Sequence, residues 1–157
     1  MSKAQSGPSE RITLDIPDRT LRGDLTYFRQ KALEFGASVA EVIPADWVQI
    51  DERVRLKCAI PLCPYYNKSI YCPPHTPSIE LMRKAVERYR HAILFALDVI
   101  PAECFSDRSK KQAAAKWSKK TFEIVGRLET LAFGRGYYLA MGYALFRCKT
   151  AAGIVDL

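Results

Sequence analysis

Three of the five cysteines, Cys58, Cys63 and Cys72, fall in one short stretch, and five prolines (Pro61, Pro64, Pro73, Pro74 and Pro77) interrupt the same stretch. No other feature narrows the possible folds as much. Proline fixes φ and lacks the amide donor, so regular helix cannot run through CAIPLCPYYNKSIYCPPHTP. A long irregular loop inside a compact domain is either functional or disordered, and these cysteines and tyrosines argue for order. Thiolates at such short spacing can converge on one ion or one cluster. Proline also lowers the entropy lost when the loop closes around it. Cysteine is often simply buried, but a polar, proline-rich loop is not a core pattern.

Two metal chemistries fit the spacing Cys58-x4-Cys63-x8-Cys72-Pro73-Pro74-His75. In the first, Cys58, Cys63 and Cys72 hold an iron–sulfur cluster, with Cys148 or an exogenous ligand at the fourth iron. In the second, His75 completes a Cys3His zinc site. The spacing matches neither a ferredoxin run nor a common zinc finger and does not choose between them. Lys57 and Lys68 lie close in sequence, where positive charge lowers thiolate pKa values and offsets cluster charge. Tyr65, Tyr66 and Tyr71 are expected to cover the metal; stacking on bases is their other reading. Cys104 has no partner nearby in sequence and reads as a plain thiol.

The 157-residue chain is globular in composition, 48% hydrophobic and 26% charged. We expect a polar flexible tail over 1–10 and one metal-binding domain over 11–157. No apolar run approaches the ~18 residues of a membrane span, and MSKAQSGPSE lacks the apolar core of a signal peptide, so a cytoplasmic protein is expected. The net charge of +7 favours anionic partners. Arg108, Lys110, Lys111, Lys116, Lys119 and Lys120 form a run without an acid. It could meet an acidic redox partner or a nucleic acid, the latter less favoured, or be a solvated helix face. No Ser/His/Asp set, paired carboxylates or phosphate-binding loop is present.

The periodicity predicts a helix over 24–35 on Leu25, Phe28, Ala32 and Leu33, capped by Asp24 and ended by Gly36. A strand follows over 38–43. The alternation from Arg53 to Lys57 suits a short strand. Thr76-Pro77 opens a helix over 77–90, and His91 to Val99 suits a buried central strand. A long helix over 107–133 carries Trp117, Ile124, Val125, Leu128 and Ala132 on one stripe, stopped by Gly134 and Gly136. Residues 137–147 read as a last strand leading to Cys148. The fold class is therefore α/β or α+β: a small sheet, about three packed helices and the long cysteine loop.

From Lys57-Cys58 through Cys63, Tyr66 and Cys72-Pro73-Pro74, the chain resembles a family of predicted metal-binding proteins of unknown function, small cytoplasmic proteins of bacteria and archaea. The similarity runs over about 45–148, through Pro77 to Arg90, His91-Ala92-Ile93-Leu94 and the helix Lys120 to Gly136 with its Leu128-Glu129. Members of that family continue into a second cysteine-rich segment opening Gly-x-Cys-x-x-Cys. Here Cys148 stands at about that point, no cysteine follows, and the chain passes to Gly153-Ile154-Val155-Asp156-Leu157. The resemblance implies metal binding, with an iron–sulfur cluster as the expected group, and no known reaction.

The leading expectation is a 4Fe-4S protein acting as a redox or maturation accessory, or as a subunit of a larger redox complex. An enzyme with an open iron position is a second reading. A zinc-stabilised basic module for RNA or a protein is a third, and it predicts steep salt dependence.

Overall fold

The structure, a computed structural model, describes residues 16–68, 70–99 and 111–144. The expected tail, Cys104, Cys148, Arg108 and Lys110 lie outside these residues. The described elements are α1 (Asp18–Glu34), β1 (Val39–Pro44), a 3-10 turn (Ala45–Trp47), α2 (Arg53–Ala59), α3 (Ile79–Val86), β2 (His91–Ala96) and α4 (Lys111–Gly134). This is an α+β arrangement: four α-helices and an antiparallel sheet that has two strands among the described residues.

Helix α1 buries Asp24, Phe28 and Ala32, one residue per turn along a single face. It begins at Asp18, six residues before the expected start. Asp24 is therefore not its cap but a buried side chain within it. Its carboxylate accepts hydrogen bonds from Arg135 and from the Tyr137 hydroxyl at 2.9 Å, which ties the end of α4 to the middle of α1. Burial and this bond to Asp24 push the Tyr137 phenol up to about 12. The Arg135 guanidinium also lies over the Tyr27 ring, 3.9 Å from its centroid.

Both long helices end the same way. Gly36 N–H donates to Leu33 O and Ala37 N–H to Ala32 O; Gly136 N–H donates to Phe133 O and Tyr137 N–H to Ala132 O. These are Schellman closures, and they need a left-handed residue, supplied by Gly36 at φ 105° and Gly136 at φ 90°. Gly134 stays helical.

The core is narrow and built on alanine. Ala32, Ala37, Ala40 and Ile124 are buried together, with Leu33, Phe35, Ile93, Phe95 and Leu128 packed around them. Small side chains let α1 approach β1 and α4 closely, and Ile124, 1% exposed, fills the centre. Val39 pairs with Ala96 and Pro44 with His91 at the ends of the register. The run His91 to Val99 is not a buried central strand. β2 has one described neighbour, and Leu94 on its outer face is exposed.

Since Pro44 and His91 are cross-strand partners, residues 45–90 leave the sheet and return to the same place. The cysteine segment is thus an excursion from a strand pair. It differs from expectation in two ways. Arg53–Ala59 is helical, not a strand; it opens where Asp51 accepts from Arg53 N–H at 2.8 Å. Helix α3 starts at Ile79, capped by Ser78, whose hydroxyl accepts from Leu81 N–H, and not at Thr76-Pro77. Residues 137–144 form turns and irregular chain, and no strand.

Candidate metal centre

Helix α2 ends in Lys57-Cys58-Ala59, so Cys58 sits on its last turn. The chain then folds back: Cys63 N–H donates to Cys58 O at 2.9 Å, and Tyr66 N–H to Cys63 O at 2.9 Å. Asn67, at φ 58°, reverses the direction, and its N–H reaches Pro73 O at 2.8 Å. His75 N–H donates to Cys72 O at 3.0 Å. These backbone bonds close successive turns, and Cys58, Cys63 and Cys72 come to one cavity.

Two arginines fasten this segment. Arg55 donates to Thr76 Oγ1 at 2.6 Å and to Pro77 O at 3.2 Å, joining α2 to the far end of the loop. Arg83 reaches from α3 to Ile50 O at 3.1 Å and to Glu52. Hydrogen bonding to Arg83 lowers the Glu52 carboxyl, and the Arg53 guanidinium bound to Asp51 holds that carboxyl at about 2.

Cys58, Cys63 and Cys72 all line one open cavity of ≈ 630 Å³, together with His75. None of the three is in a disulfide; Cys63 is buried and the other two are half-buried. Tyr65, Tyr66 and Tyr71 line it too, and Tyr71 packs on Phe122 with centroids 5.5 Å apart. Soft thiols beside an imidazole are a donor set suited to a thiophilic metal group. Among the described residues, no group of three or more His, Cys, Asp or Glu side chains is gathered tightly enough to hold a single metal ion. The thiols share a cavity without forming an ion-sized cage. Neither Lys57 nor Lys68 is among the described residues that line the cavity.

The opposite wall comes from residues that the sequence reading did not assign to the site. Phe122, Val125, Gly126 and Glu129 of α4 face the cysteine segment, and Gly142, Tyr143 and Ala144 cross over them. Gly142 makes that crossing possible. A Cβ there would collide with the Val125 side chain, and the Gly142 N–H donates to Glu129 Oε1 at 2.7 Å. A glycine inside an apolar run marks close backbone approach; that was the available signal. Gly126 does the reverse. It lies within α4, where glycine costs about 1 kcal/mol relative to alanine, and an added Cβ would meet nothing within 4 Å. Its missing side chain leaves that wall recessed.

Of the expected basic run, Lys116 and Lys119 are exposed on α4 and Lys120 is half-buried against Gly36. Lys119 pairs with Glu123 at 3.7 Å, and Lys116 lies over the Trp117 ring. Among the described residues no helix is long and apolar enough to cross a membrane.

Comparison with curated proteins and with solved structures finds no match. Residues 41–152 match the family described as "Predicted metal-binding protein (DUF2284)". That match takes in α2, Cys58, Cys63 and Cys72, the cavity and the whole of α4. The chain belongs to this family of predicted metal-binding proteins.

Proposed function

We propose that Cys58, Cys63 and Cys72 hold an iron–sulfur cluster of the 4Fe-4S type, and that the protein serves as a redox or maturation accessory or as a subunit of a larger redox complex. One observation carries the reading: three cysteines outside any disulfide open on one roomy cavity, and cysteine thiolates are the usual ligands of such a cluster. Cys148 is the proposed fourth ligand. Ala144 lines the cavity, and four further residues span at most roughly 14 Å, which puts Cys148 within reach. Bound there, the cluster would supply one-electron chemistry. The chain's own contribution is the scaffold: turns that aim the thiols, arginines that fix the loop, and tyrosine rings that limit water.

A Cys3His zinc site is the second reading, favoured by His75 on the same cavity. Anaerobic purification with iron, sulfide and zinc assays separates the two. The expected result is a broad absorption near ~400 nm with about four irons per chain. Cys58→Ser, Cys63→Ser and Cys72→Ser should each abolish it, while Cys104→Ser leaves it unchanged. A colourless protein with one zinc, lost on His75→Ala, would overturn the cluster reading.

A further inference from the structure

The loop that carries the three thiols is tied across its mouth by side chains that touch no thiol. Arg55 lies on α2, three residues before Cys58. Thr76 follows His75 directly, four residues after Cys72. Arg55 Nη1 donates to Thr76 Oγ1 at 2.6 Å and to Pro77 O at 3.2 Å. Arg55 and Thr76 are both half-buried, and a charge-assisted hydrogen bond shielded from water is stronger than one on the surface. A second tie stands one turn earlier. Arg83 of α3 donates to Ile50 O at 3.1 Å and to Glu52, the residue before α2. Two ties at different heights fix the direction of α2 as well as its place, and so fix where its last turn, with Cys58, points.

Bringing the two ends of a loop together costs chain entropy. Where a bond outside the metal shell closes the loop, the ligands no longer bear that cost, and a ligand that lets go of the metal stays beside it and rebinds. Of the two ties, the one from Arg55 lies nearer the thiols on both sides, next to Cys58 on one and to Cys72 and His75 on the other. We propose that Arg55, acting through Thr76, is the positioning residue of this site: it keeps Cys58 on the same cavity as Cys72 with or without metal, and thereby slows the loss of the bound group. The inference rests on the three cysteines being the ligands and adds to that reading a residue that touches no metal.

The test is the rate at which the full chain, purified anaerobically, gives up its metal to excess EDTA, with iron and zinc assayed over time. Arg55→Met should speed release by about tenfold or more, the scale on which groups behind the ligands act. Thr76→Val removes one of the two acceptors and should speed it by about threefold, while Thr76→Ser, which keeps the hydroxyl, restores the original rate. The Thr76 pair leaves the guanidinium charge in place, so it separates positioning from electrostatics, and it stays readable where Arg55→Met does not fold. Stripped of metal, Thr76→Val should also exchange its α2 amides faster than the stripped parent protein. Ile124→Ala weakens the core and leaves the tie intact; without denaturant it should release metal at the parent rate. Unchanged release from Thr76→Val, a Thr76→Ser protein as fast as Thr76→Val, or equal acceleration by Ile124→Ala would each overturn the proposal and leave the thiol reading standing. Full metal content in Cys58→Ser, Cys63→Ser and Cys72→Ser would instead remove the thiol reading, and the proposal with it.

Discussion

The two halves of this molecule are held together by different forces. The unit made by α1, the strand pair and α4 is organised by apolar burial around Ala32, Ala40 and Ile124. The excursion over 45–90 is organised by backbone turns and by Arg55 and Arg83. Its apolar side chains are largely outside: Ile60 is 74% exposed, Leu62 68% and Ile70 74%. A segment that buries so little apolar surface draws little stability from the hydrophobic effect. On the proposed reading, the group that the thiols hold supplies the rest, and this distinguishes a scaffold from the site it carries.

The contrast can be broken most directly by removing metal. Chelation of the loaded protein should raise amide exchange over 45–90 by about a hundredfold or more and leave α1 and the buried face of α4 protected. Uniform loosening of both halves would mean that one cooperative unit spans the molecule. The converse perturbation is Ile124→Ala, which should destabilise the core by about 2–4 kcal/mol in denaturant unfolding without removing a metal-facing group. The smallest effect concerns the tie between α1 and the end of α4. Asp24→Asn should cost about 1–2 kcal/mol, since Arg135 remains partly solvated. The phenol of Tyr137 is raised in the fold from 10 to about 12. Its contribution is therefore complete below pH 10 and lost as pH rises toward 12. Tyr137→Phe should flatten the fall in stability over that window, measured by unfolding at pH 9 to 12.

How far the sequence could be read follows the same division. The scaffold was legible because burial imposes a period. Phe28 and Ala32 in α1, Ile124, Leu128 and Ala132 in α4, and the terminating Gly36 and Gly136 all stand as the pattern predicts. The excursion was not, because little there is buried. Arg53 to Lys57 alternates charge and apolar residue, which over five positions fits a strand as well as a short helix. The segment is helical, with its hydrogen bonds made internally, and pairs with neither β1 nor β2. Residues 137–144 are apolar enough for a strand, yet Gly142 presses them onto α4 instead. The three cysteines were legible as a set. The α4 wall was not, because Gly126 and Glu129 gain meaning only from what lies across the cavity.

That β1 and β2 pair across so long an excursion bears on how the protein assembles. Their contact, from Val39↔Ala96 to Pro44↔His91, is non-local and must await closure of the whole loop, the step that slows folding in proteins of high contact order. An excursion whose thiols are already gathered on a metal presents a shorter loop to close. Cofactor supply during synthesis would then govern how quickly the sheet forms, and a chain starved of it would spend longer with its strand edges and its apolar side chains open to other chains.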